Sequence, residues 1–133
     1  SPSQGRLMKI FIIFVIGLIL LLNSCNSFKQ GERIYLSKCS NCHGVNGEGL
    51  AQMYPALDKS IYVNSLVNHL PCIILNGKYT LDKNGNKTSE MPPVANMGDV
   101  ELTNLINYLQ YKFNPSQTPA QLDTIVAWRL KCK

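Results

Sequence analysis

The sequence predicts an all-α domain of about four to five short helices with one small hairpin. Three observations carry this. Val100, Leu102, Leu105, Ile106, Leu109 and Phe113 form a stripe at helical spacing, so 99–112 reads as a helix. Gly and Pro clusters cut the remaining apolar segments into pieces too short for long helices. One segment, Lys78 to Glu90, instead alternates apolar and polar residues about Asn84-Gly85, a hairpin turn signal. A chain of 133 residues fits one domain, and no internal repeat or low-complexity tract divides it.

An address precedes the domain. Arg6 and Lys9 are positive, and Ile10 to Leu22 is an unbroken run of 13 residues that are apolar or Gly. That is the length of a signal-peptide core and too short to span a bilayer comfortably. Met8 reads as the start, with residues 1–7 upstream of it. The run closes on Leu22-Asn23-Ser24-Cys25, which resembles a bacterial lipoprotein signal, Asn23 being a departure. The resemblance implies that 1–24 is removed, that Cys25 receives a diacylglycerol group, and that 25–27 tethers the domain to a membrane at the periplasmic face. The alternative is an ordinary cleaved signal, or an uncleaved anchor, with Cys25 incidental.

Charge excludes one function class. The formal balance is +5, but Arg6 and Lys9 belong to the leader, leaving 11 basic against 8 acidic residues and +3. Without a dense Lys/Arg patch or interleaved aromatics, this is not a nucleic-acid surface.

Taken in order, Ser27-Phe28-Lys29-Gln30 reads as a capping box opening a helix to about Cys39, with Phe28, Ile34 and Tyr35 on one side. Gly31 and Tyr35 mark a close crossing with a later helix near Tyr108. The helix delivers Cys39-Ser40-Asn41-Cys42-His43, the C-x-x-C-H arrangement that attaches c-type haem. One helical turn separates the two thiols, so both reach the vinyl groups on one porphyrin edge. His43 is then placed to ligate the iron. Zinc is the first rival, but a fourth ligand is missing because no second Cys or His pair exists. A redox dithiol is the second, but it usually sits near a strand–helix–strand unit, which is not found. Lipid at Cys25 and haem at Cys39 and Cys42 leave Cys72 and Cys132, an even remainder that suggests a bridge in an exported protein. Two free thiols are the alternative.

Gly44, Gly47 and Gly49 make 44–50 a loop, followed by Met53-Tyr54-Pro55-Ala56-Leu57. With Pro55 and Leu57 after the haem motif, the chain resembles a class I c-type cytochrome, found alone or fused to terminal oxidases and nitrite reductases. The resemblance covers about Phe28 to Phe113. It implies the cytochrome c fold around one covalent haem, with the Pro55 carbonyl accepting a hydrogen bond from the far nitrogen of His43. A plain turn proline is the alternative.

Ser60 opens a helix over Ile61 to about Leu70. Pro71 either breaks it or starts a second helix, which Asn76-Gly77 ends. His69 is a conceivable distal ligand, more simply a solvated helix residue. Asp82, Asn84 and Asn86 mimic the start of a calcium loop, but Lys87 stands where Gly is needed and no Glu closes it. Met91-Pro92-Pro93 is where the resembled family supplies a sixth iron ligand, so Met91 is the axial thioether by resemblance, its loop stiffened by the prolines. Met97 and Met53 are rivals, Met97 reading better as a packing residue before the next helix. Beyond Phe113, Asn114 to Gln117 links to a last helix capped by Thr118-Pro119-Ala120-Gln121 and carrying Leu122, Ile125, Val126, Trp128 and Leu130. Residues 114–133 thus form a linker and helix packed on the domain.

The implied function is electron transfer, not bond-making on a small-molecule substrate. The expected partner is a redox protein (an oxidase, reductase or dehydrogenase) met through an interface below about 1,200 Å². Lys78, Lys83 and Lys87 either steer an acidic partner or belong to a solvated hairpin. Two other classes remain open: a small-ligand haem protein (gas sensor or peroxidase-like) with an open sixth position, and a zinc-binding structural lipoprotein.

Overall fold

A computed structural model describes residues 2–22, 27–51 and 53–132. The element order is α1 (Pro2–Leu22), α2 (Ser27–Lys38), α3 (Ser40–His43), α4 (Ile61–Asn64), α5 (Leu70–Asn76), β1 (Lys78–Leu81), β2 (Lys87–Met91), α6 (Asp99–Phe113) and α7 (Leu122–Arg129). Short 3₁₀ turns at Leu57–Lys59 and Val67–His69 complete it. The domain is mostly helical with one antiparallel two-stranded hairpin. α1 exposes Leu7, Ile10, Phe11 and Phe14. Among the described residues no helix is long and apolar enough to cross a membrane. Cys25, the expected lipid attachment, lies outside the described residues.

α2 crosses α6, and the core is built on that crossing. A Cβ at Gly31 would sit 2.1 Å from the Asn104 carbonyl oxygen and 2.5 Å from Tyr108 Cβ, so only glycine admits this approach. Phe28 stacks on Tyr111 at 4.5 Å, and Tyr35 packs against Tyr108 at 5.6 Å. Leu102, Leu105, Ile106 and Leu109 of α6 are buried, with Tyr35, Val63, Leu70, Ile74, Met97 and Ile125 closing the core around them. Val100, counted in the apolar stripe, is 60% exposed. The inward face instead takes Thr103, whose hydroxyl bonds the Asp99 carbonyl, and Gln110. Gly98 caps α6, its N–H donating to Glu101 Oε2 at 3.1 Å.

Three boundaries differ from the sequence expectation, each through a long-range bond. The helix expected over 61–70 stops at Asn64. Gln110 Nε2 donates to the Val63 carbonyl at 2.7 Å and Asn114 Nδ2 to the Asn64 carbonyl at 3.1 Å, taking acceptors that a continuing helix would use. α7 begins at Leu122 and not at Pro119, because Asn107 clamps Ala120: its Oδ1 accepts the Ala120 N–H at 2.8 Å and its Nδ2 donates to the carbonyl at 3.0 Å. The hairpin loop runs from Asp82 to Asn86 rather than two residues, since Asp82 Oδ1 accepts the N–H groups of Asn84 and Asn86, both at 2.8 Å. Pro71 falls in the first turn of α5, where its missing N–H costs nothing.

Candidate functional site

Cys39 separates α3 from the end of α2, and backbone bonds run on through it, the Cys39 N–H donating to the Tyr35 carbonyl at 2.8 Å. His43 N–H donates to the Cys39 carbonyl at 2.9 Å, and Tyr35, buried in the crossing, donates its hydroxyl to the Gly44 carbonyl at 2.6 Å. The glycine loop then folds back: Gly49 N–H donates to the His43 carbonyl and Leu57 N–H to the Gly47 carbonyl, each at 2.8 Å. Cys39, Cys42, His43 and Pro55 are thereby brought to one wall of a cavity of about 770 Å³. Met91 reaches the same cavity at the end of β2. The β-ladder is irregular between Lys78 and Tyr79, a bulge of the kind that re-aims a side chain, and there Lys78 pairs with Met91. Gly77 has φ +74°, and a Cβ on it would lie 2.5 Å from the Met91 carbonyl oxygen, so its backbone abuts the Met91 backbone directly. Lys78 Nζ meets Glu90 Oε2 at 2.6 Å, a bond that raises the lysine pKa.

The remaining walls are apolar, from Leu57, Ile61, Val63, Ile74, Leu105 and Leu109, while Lys59, Ser60, Lys78, Ser89 and Glu90 supply polar groups. The volume is that of a cofactor pocket, with a few polar groups set in an apolar lining. The two thiols are unbridged to each other. Burial pushes the Cys39 thiol up to about 11, so it is protonated at neutral pH and slow to oxidise. Burial also lowers the pKa of His43, favouring the neutral, ligating imidazole. His43 Nδ1 is buried without a hydrogen-bond partner, a group that calls for one. These are the donors that a covalent haem requires, and they fit it.

Pro55, the expected acceptor for His43, lines the same cavity, and His43 Nδ1 makes no hydrogen bond here. Among the rival ligands, Met97 is 3% exposed in the core, away from the cavity. His69 is exposed and faces Tyr62 at 6.5 Å. Met53 lines the cavity but is 72% exposed. Among the described residues no group of three or more His, Cys, Asp or Glu side chains is placed to hold a metal ion. Tyr62, Ser89 and Glu90 were not foreseen as lining residues. The period of two along β2 puts Ser89 on the face of Met91, and that signal was available. Cys72 and Cys132 form a disulfide joining α5 to the chain just beyond α7.

The family model for cytochrome c matches residues 28–113. The chain belongs to the cytochrome c family. No curated protein matches it. The match covers the segment that carries the haem motif, the glycine loop, Pro55, the hairpin and Met91. Cytochromes c hold covalently attached haem c, one in a single-domain monohaem protein, and their chemistry is haem-based electron transfer. Every residue that lines the cavity falls within the match, which makes the cavity the candidate haem crevice. Residues 114–133 lie beyond the match, although α7 contributes Ile125 to the core.

Proposed function

We propose that this cytochrome c is a monohaem electron carrier, exported and held at the periplasmic face of a membrane by lipid on Cys25. It exchanges single electrons with a respiratory oxidase, reductase or dehydrogenase. Cys39 and Cys42 would carry the thioether attachments, and His43 and Met91 would ligate the iron. The observation that carries the reading is that two unbridged thiols, a neutral imidazole and a thioether share one apolar cavity, although Met91 is remote in sequence.

Bound haem c supplies a one-electron Fe(II)/Fe(III) couple at this site. The chain's own residues set its terms. The Met91 thioether, soft and uncharged, favours the ferrous state and raises the potential. Leu105, Leu109 and Ile74 keep water from the crevice, which favours the same state by withholding solvation from the extra charge. Pro92 and Pro93 restrict the loop that carries the sulfur. The charge on the hairpin is partly engaged: Lys78 pairs with Glu90, and Lys87 lies 4.2 Å over the Tyr79 ring. Lys83 at the exposed tip is then the simplest steering charge toward an acidic partner.

Pyridine haemochrome spectroscopy of matured protein tests the attachment. Haem should stay with the polypeptide through denaturation, and haem extracted by acidified solvent would overturn it. Met91→Ala should lower the potential and let the ferrous protein bind carbon monoxide. Ready carbon monoxide binding by the unmutated protein would instead favour a small-ligand receptor. Metabolic labelling with a fatty acid tests Cys25: label retained in Cys25→Ser would refute lipidation there.

A further inference from the structure

The segment beyond the family match is fastened to the domain with more ties than a tail needs. Asn107 clamps Ala120 at both backbone groups. Arg129 pairs with Asp99 at the start of α6. Ile125 is fully buried. Cys132 is bonded to Cys72, 60 residues earlier. Asn107 and Asp99 anchor the segment to α6, and the disulfide carries that anchorage to α5. Its Ile73 and Ile74 line the haem crevice, whereas Cys72 does not, so the disulfide grips α5 from outside the cavity.

α5 is also what holds Met91. Val94 N–H donates to the Ile74 carbonyl at 2.8 Å, fixing the chain just after Met91 to α5. Gly77, the residue that ends α5, abuts the Met91 and Pro93 backbones. Lys78, the next residue, is ion-paired to Glu90 just before Met91. The short hairpin adds little support, since residues 78–90 are exposed throughout. The sulfur is therefore only as fixed as α5, and α5 is fixed from outside by α7.

We infer that residues 114–132 act as a brace: the Cys72–Cys132 bond, Arg129–Asp99 and the buried Ile125 immobilise α5 and so hold the Met91 sulfur in the crevice. Cys72, Cys132 and Arg129 are positioning residues, acting through α5 and the Ile74–Val94 bond. The inference rests on Met91 ligating the iron, as proposed above. A brace lowers the population of states in which the Met91 loop lifts away, which in other proteins is drawn from the least stable segments.

The test compares the full-length, haem-loaded protein with its Cys72→Ser/Cys132→Ser, Arg129→Ala and Met91→Ala forms. Three quantities are read: the rate of carbon monoxide binding to the ferrous protein, the reduction potential, and amide exchange at Val94. Loss of the disulfide should speed carbon monoxide binding and Val94 exchange by about tenfold, Arg129→Ala by less, and both should lower the potential. A purely structural disulfide would shift the denaturation midpoint and leave all three unchanged, and that result overturns the brace. If Met91→Ala binds carbon monoxide no faster than the parent, the ligand assignment has failed, and the brace falls with it by a separate signature. Should the double Ser form not mature, phosphine reduction of the matured parent gives the same three readouts.

Discussion

The two walls of the crevice are built on opposite plans. The His43 wall is local. Cys39, Cys42 and His43 occupy five consecutive residues, and the backbone bonds that hold the following loop run within residues 40–57, with Tyr35 and Lys112 adding side-chain bonds to the Gly44 and Val45 carbonyls. The Met91 wall is assembled at long range, from Ile74 to Val94, across 30 residues from Asp99 to Arg129, and across 60 from Cys72 to Cys132. A local wall needs one correct helix terminus. A long-range wall depends on every tie behind it, so it opens first when one is cut.

The largest effect should come from cutting the long-range wall. Reducing the Cys72–Cys132 disulfide removes a chain constraint worth about 4 kcal/mol for a loop of this length. Denaturant midpoints of oxidised and reduced protein measure it, and equal midpoints would mean that α7 is held by packing alone. Next comes the support of the local wall. Gly31→Val drives a side chain into the Asn104 carbonyl and Tyr108 Cβ, parts of α6 that cannot rotate aside. The cost should be about 3 kcal/mol, seen as a lowered thermal midpoint. If the iron still titrates with the parent potential in that variant, the His43 wall is self-contained, as its short bonds suggest.

Alkaline pH should then act on the local wall through Tyr35. Burial pushes its hydroxyl up to about 12 from 10, with the nearby Tyr108 adding to the shift. The folded state therefore keeps a proton that the unfolded chain releases. That stability is whole below pH 10 and is lost as pH rises from 10 toward 12, about 2 kcal/mol in all. Tyr35→Phe should flatten stability across that window in a urea series, at the expense of the bond to the Gly44 carbonyl. The smallest effect belongs to the hairpin. With Lys78 and Lys87 engaged, raising salt should slow partner reduction by less than about tenfold, read by stopped flow. A steeper fall would return the paired lysines to the steering surface.

The same contrast explains what could be read before the fold was seen. The His43 wall was legible because its chemistry is contiguous: a five-residue motif carries the candidate ligand, and Gly31 with Tyr35 and Tyr108 marks the crossing. The α6 stripe was legible by periodicity, except that Val100 faces solvent while Thr103 and Gln110 turn inward. The end of α4 was not legible, because Gln110 and Asn114 capture the carbonyls of Val63 and Asn64 from another helix. The start of α7 was hidden for the same reason, in the Asn107 clamp on Ala120. Local propensity carries no record of such bonds. Only the resemblance separates Met91 from Met97 in the sequence; in the fold Met91 lines the cavity and Met97 is buried in the core.

The hairpin tip has a practical consequence. A Cβ on Gly85 would meet nothing within 4 Å, and Asp82 gathers the loop through its own neighbours. Extra sequence inserted between Lys83 and Asn84 would project into solvent, loosening only the Asp82 bonds to Asn84 and Asn86. A dye or affinity peptide grafted there would report on docking while leaving the crevice walls as they are. The same insertion at Ser65 would separate two carbonyls from the side chains that claim them and would not be absorbed.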